Sequence, residues 1–264
     1  MHNTLAILRK ELQIYFTTVI AYAGFGAYAF LMGLLFAASL NRYQQLTDLA
    51  LSRQQPELLE RLNFNDVIIA PMMSSGIWMF LFFVPFLTMR LFAEEKQSRT
   101  FELLMSAPIR SLEMVLGKFF AAALLIVVMS ALPLLFPLIL SLYGTGPGGS
   151  GGVEWAPVLA GTISVMLLGL TFATLGLFFS SLAESQIVAA LLTFAALLVG
   201  FVLPMMAGRL EGDWRAVLEY LSPVTHVGRG LQGRIHLKDL VYFGTSILAF
   251  LVLTHRVVES HRWR

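Results

Sequence analysis

An all-α polytopic membrane protein with six transmembrane helices is the fold class that this sequence predicts, on three observations. Of its 264 residues, 57% are hydrophobic and 13% charged, where soluble domains average roughly 45–50% and about 25%. Charge is absent for twenty or more residues at a time instead of being spread over amphipathic faces, the pattern of a chain that crosses a bilayer. The remaining polar sequence gathers in a few short stretches, chief among them EEKQSRTFELLMSAPIRS at 94–111.

In residues 2–16, Leu5, Leu8, Leu12 and Tyr15 recur at helical spacing, with Arg9, Lys10, Glu11 and Gln13 around the other side. This predicts a helix lying in the membrane interface. Thr17 to Asn41 carries no charge, which predicts a first span over about 18–40; the apolar core of a signal peptide reaches only about 7–15 residues. Residues 41–66 are polar and contain Pro56, an expected extramembrane loop. A second span is expected over about 67–92, with Pro71 and Pro85 inside it. The third, about 119–143, should kink at Pro133 and Pro137, because each removes an intrahelical hydrogen bond.

GTGPGGSGG at 144–152 cannot continue a helix. The fourth and fifth spans, about 156–182 and 186–207, are separated only by Ala183, Glu184 and Ser185 and read as an antiparallel hairpin. The 208–238 segment has its own apolar spacing, Trp214, Val217, Leu218 and Leu221, then Val224, Val227, Leu231 and Ile235. Pro223, Gly228 and Gly230 split it, predicting two short re-entrant amphipathic helices at the outer membrane surface. The sixth span, about 239–256, is short, with His255 and Arg256 reaching for headgroups.

Six spans put both termini on one side. That side carries ten of the Lys and Arg residues against eight on the other, which favours cytoplasmic termini in a bacterial inner membrane. A net charge of +2 without a basic run excludes a nucleic-acid footprint, and the absence of cysteine excludes disulfides and thiolate sites. No catalytic, cofactor or metal residue is expected. The five histidines lie near or outside the interfaces, and GKF at 117–119 lacks the flanking residues of a P-loop. No span carries an ionisable residue at its middle, which argues against a proton-driven carrier, although a sodium site of backbone carbonyls would leave no such mark. Small residues gather in the first span (Ala21, Ala23, Gly24, Gly26, Ala27) and the fourth (Gly161, Gly169, Ala173, Gly176). They suit close helix approach, within the chain or between subunits.

On a helix, Glu95, Arg99 and Glu102 would form a lattice of pairs at four- and three-residue spacing. Phe101, Leu103, Leu104, Met105 and Ile109 stand among these charges, and apolar residues rimmed by charge suit a protein partner. Ser106-Ala107-Pro108 stops that helix. Ser111 is the expected cap of the next, with Glu113 in its first turn, and Leu116, Gly117 and Lys118 lead into the third span.

RLFAEEKQSRTFELLMSAPIRSLEMVLGKF at 90–119 closely resembles the cytoplasmic loop of ABC-2 type exporter permeases. That pattern is roughly A-E-E, S-G-T-x-E-L-L, P-x-x and a short helix ending in G-K, and Arg99 stands where the family commonly has Gly. LSPVTHVGRGLQGRIHLKDLVYF at 221–243 is similar to the penultimate segment of the gliding-motility-associated GldF subgroup. The resemblance covers essentially all of 1–264 as a single transmembrane domain. It implies the membrane subunit of an ATP-driven exporter, with ATP and Mg held by a separate ABC ATPase subunit. A second permease copy or a related membrane subunit would complete the assembly in the lipid bilayer.

Residue by residue, Glu94, Glu95, Ser98, Thr100, Glu102, Leu103, Leu104 and Pro108 match the coupling-loop pattern. With Arg99, Arg110 and Glu113 they form the ATPase-docking set implied for loop 93–117, and Gly117 and Lys118 the lever into the third span. Pro223, His226, Arg229 and Gly230 belong to the re-entrant segment that would cap the exit. The residues alone also allow a membrane scaffold or sensor whose loop binds a non-ATPase partner, or an ion-coupled carrier.

Overall fold

The computed structural model describes residues 2–54, 62–106, 109–144, 152–209 and 211–262, and these are helical without strands. Pro56, Pro108 and the 145–151 glycine segment lie outside the described residues, as does the side chain of Leu103. Six helical stretches are long and apolar enough to cross a membrane.

Helix α1 (His2–Thr17) ends where Thr18 turns extended at φ −96°, ψ 128°. The Thr17 hydroxyl donates to the Gln13 carbonyl at 2.8 Å and the Thr18 hydroxyl to that of Ile14 at 2.6 Å, satisfying acceptors that a helix C-terminus orphans. Helix α2 (Val19–Ser52) has 34 residues, so at 1.5 Å per residue it is about 51 Å long and outreaches a ~30 Å hydrocarbon core. The loop expected from residue 41 is therefore helical to Ser52. The stretch NRYQQLTDLALS contains no Pro or Gly to stop a helix already running.

The second span begins with a π-helical turn, Asn65–Ile69, and continues as α3 (Ala70–Thr88) and α4 (Arg90–Gln97). Pro71 follows directly on the π-helical turn, whereas Pro85 is interior to α3. After α5 (Phe101–Ser106), helix α6 (Ser111–Ala131) passes through a 3₁₀ turn at Leu132–Leu134 into α7 (Leu135–Tyr143), so the kink expected around Pro133 takes that form. Helices α8 (Trp155–Leu182) and α9 (Gln186–Ala207) form the expected hairpin, with the Ser185 hydroxyl accepting the Val188 N–H at 3.4 Å. Two short helices, α10 (Asp213–Leu221) and α11 (Pro223–Leu231), precede α12 (Leu237–Arg262), which continues past the expected end of the sixth span.

Helix α8 is the hub, packing on α3, α4, α6, α9, α11 and α12. Of its most apolar window 61% is buried, against 11% for α2. A Cβ at Gly169 would stand 2.6 Å from Ile126 Cγ2 and 2.7 Å from Phe80 Cε2, and one at Gly176 would collide with Thr88. Gly24 and Gly26 in α2 would meet nothing within 4 Å. The small residues of the fourth span thus serve packing within the chain, and those glycines of the first do not.

Candidate functional site

At the end of the bundle that carries both termini, Lys118 lies fully buried, 1% exposed, where α1, α4 and α6 meet. Its ammonium contacts Glu11 Oε1 at 2.7 Å and Glu95 Oε1 at 3.0 Å, and donates to the Leu91 carbonyl. Two hydrogen bonds and an ion pair thus hold the buried ammonium. The Phe92 ring lies 5.1 Å from the same nitrogen. Lys10 donates to Glu95 Oε1 at 2.7 Å, so two lysines balance two carboxylates and one oxygen of Glu95 joins all three helices. Burial works to lower the pKa of Lys10, but its hydrogen bond to Glu95 and the charges of Glu95, Glu11 and Glu94 outweigh it and hold the ammonium above the ordinary lysine value.

The cluster works only because α1 presents Ile7, Glu11 and Tyr15 inward, leaving Leu5 62% exposed. This is a rotation from the expected face, on which Glu11 was polar and outward. An acid spaced four residues from Ile7 on one side and Tyr15 on the other is the signal that finds it. Close approach fixes the register, since a Cβ at Gly117 would stand 2.8 Å from Ile7 Cβ. Glu113 ties the starts of both helices, accepting from Asn3 Nδ2 at 3.0 Å and from the Arg110 N–H at 3.2 Å. Ser111, expected to cap α6, is instead its first helical residue, and the carboxylate of Glu113 takes over the capping.

The expected Glu95–Arg99–Glu102 lattice does not form, because α4 ends at Gln97. The Arg99 N–H bonds the Lys96 carbonyl at 3.1 Å and the Thr100 N–H that of Glu95 at 2.9 Å, the pair of bonds of a Schellman stop. That stop requires a left-handed residue, and Arg99 has φ 57°. Glycine fits this position without strain; an L-residue here costs about 1–2 kcal/mol. Glu94 turns back to Arg90, four residues earlier, at 2.7 Å. Ser98, Arg99, Thr100, Glu102 and Arg110 are exposed.

The apolar residues of the loop turn inward instead of forming an outward patch. Phe101 is buried against Phe92 and His261, and Leu104, Met105 and Ile109 pack on the main core. Lys96 reaches the Ser181 carbonyl at the end of α8 and lies 3.4 Å from His261 Nε2 on α12. Ser180 of α8 accepts the N–H groups of Phe92 at 3.0 Å and Ala93 at 3.1 Å and donates to the Met89 carbonyl at 3.0 Å. Tyr15 donates to the carbonyl of Leu87 beside it. The break below Pro85 is therefore stitched, its freed backbone groups taken up by α1 and α8. No charge or motif in the sequence marks Ser180 for this role.

A second buried cluster stands at the opposite end. His226 Nδ1 meets Asp239 Oδ1 at 2.6 Å, and its Nε2 meets the Tyr220 carbonyl at 3.0 Å. Arg229 donates through Nε to Asp239 Oδ2 at 3.2 Å and through Nη2 to Oδ1. The imidazole stacks on Tyr242 with centroids 4.0 Å apart. Gly230 lies where any Cβ would collide with Ser164 of α8, Pro223 opens α11, and the Ser222 hydroxyl donates to the Gly200 carbonyl of α9 at 2.9 Å. The cluster thus pins the α10–α11 segment to α8, α9 and α12. In α10 no residue is buried and Trp214 is 72% exposed. Among the described residues no group of three or more His, Asp or Glu is placed to hold a metal ion.

A family model described as ABC-2 family transporter protein matches residues 37–254. This stretch takes in the 93–117 loop, Lys118 and the whole His226 cluster, but not α1. No curated protein matches the chain.

Proposed function

The chain belongs to the ABC-2 family of transporter proteins, and from that premise we propose that it is the permease of an ATP-driven exporter whose separate ATPase subunit docks on the 93–117 loop. The observation that carries this reading is the buried Lys118 cluster, which joins the loop to two other helices through one ammonium. A push on the loop is then a push on α1, α4 and the start of α6 together. Compliance lies above them, at the Leu132–Leu134 turn in the third span. The exposed Ser98, Arg99, Thr100, Glu102 and Arg110 are the docking contacts. Glu95 and Glu113 act behind them as positioning residues.

Docking by a soluble ATPase puts this face, and with it both termini, in the cytoplasm of a bacterial inner membrane. The α10–α11 segment then lies outside, over the exit. The LSPVTHVGRG stretch carries the closer likeness to the GldF subgroup, and two copies, or one with a related membrane subunit, enclose the path.

Co-purification from native membranes tests the reading. The tagged chain should retain a P-loop ATPase, and Glu102→Lys combined with Arg99→Glu should reduce that retention about tenfold. Lys118→Arg should keep the partner but lower the ATP hydrolysis that the chain stimulates. No P-loop ATPase in the eluate, undiminished retention by the double variant, or gradient-driven uptake by the chain alone in proteoliposomes would sink it.

A further inference from the structure

We propose that the cleft between α2 and α3, beneath the α1–α2 elbow, holds one acyl chain of a phospholipid from the leaflet on which α1 lies. The proposal rests on the membrane-spanning reading of α2 and α3 and is independent of the ATPase. The cleft measures about 270 Å³ and is walled by Ala21, Gly24 and Phe25 of α2, Phe83 and Phe86 of α3, and Met129 of α6. It is polar only at one end, where Tyr15 and Arg90 close it. The Tyr15 hydroxyl is committed to the Leu87 carbonyl.

Arg90 spends Nε and Nη2 on Glu94, at 2.7 and 3.1 Å, leaving Nη1 without a partner among the described residues. The adjoining polar pocket shares Tyr15 and Arg90 and adds Lys10, whose side chain is 47% exposed. The acids lining that pocket, Glu11, Glu94 and Glu95, are each paired with a cation, and Glu95 Oε2 is buried without a hydrogen-bond partner, so a phosphate at its mouth is met through Arg90 Nη1 and the exposed side of Lys10. An apolar slot with cationic groups at one end has the polarity of a single lipid chain and its headgroup.

Gly24 lines the slot, and a Cβ there would meet no atom within 4 Å, so a longer side chain can be added without moving the wall.

The test places the full chain in nanodiscs doped with a phospholipid bearing a diazirine in its acyl chain, with labelled peptides identified by mass spectrometry. Labelling of residues 21–25 and 83–90 should fall about fivefold in Gly24→Leu, since each displaced methylene loses its buried surface. Gly26→Leu, where a Cβ likewise meets no atom within 4 Å but which does not line the cleft, should label like the unaltered chain. A phosphate-free diacylglycerol probe should label the same peptides about fivefold less. Undiminished labelling in Gly24→Leu overturns the proposal, as does equal labelling by diacylglycerol. Disulfide-linked dimers of a Gly24→Cys chain would give the cleft to a second copy and overturn it as well.

Discussion

The two buried charge clusters stand at opposite ends of the bundle and differ in how far along the chain their members lie. Lys118 meets Glu11 across 107 residues, and Lys10 meets Glu95 across 85. His226 and Arg229 meet Asp239 across only 13 and 10. A local cluster can order its own hairpin and needs little of the rest of the fold. A long-range one exists only after α1, α4 and α6 have assembled, so it reports on their mutual position and transmits any change in it. The long-range cluster is suited to carrying force between elements, and the local one to holding a cap still.

The sharpest way to break that contrast is Lys118→Met. It leaves Glu11 and Glu95 to share Lys10 as their one near cation, and a buried charge so left uncompensated costs about 3–5 kcal/mol. A large fall in thermal midpoint is expected, with loss of partner-stimulated ATP hydrolysis. Asp239→Ala at the other end should cost less, about 1–3 kcal/mol, because Arg229 is 35% exposed and can rehydrate. Its thermal loss should come with retained ATPase docking; an equal loss of docking would show that the two ends do not divide the work.

Arg99→Gly probes the loop between cluster and partner, and its two readouts should move in opposite directions. Relief of the left-handed backbone should stabilise the chain by about 1 kcal/mol, while removal of the guanidinium should weaken ATPase retention. A variant that is both more stable and equally retained would remove Arg99 from the docking surface.

The smallest effect belongs to Lys10, whose pKa is raised in the fold. Its pairing with Glu95 contributes fully below the free-lysine value and is lost as pH rises through the higher folded value. Alkaline melts of Lys10→Met and the unaltered chain should therefore converge, whereas a difference that grows with pH would contradict the pairing.

Much of the fold was legible because its signals are local. Uncharged runs set the spans, Pro133 marks a turn of altered helix, and Ala183-Glu184-Ser185 is too short for anything but a hairpin. Within the site, the Glu94–Arg90 pair at four-residue spacing could be read in the same way. Its neighbour Glu95 could not. Both acids sit in one helix of one motif, yet Glu94 faces its own helix and Glu95 faces two lysines far away in sequence.

The sequence by itself determined that six helical stretches are long and apolar enough to cross a membrane, because that depends on the length and polarity of each run. It also placed the charged stretch between the second and third of them. Only the tertiary structure decided which of those charges are buried partners and which remain exposed. Burial of a charge requires an opposite one within a few ångströms, and that distance is set by how α1 rolls against α6, which no single segment encodes.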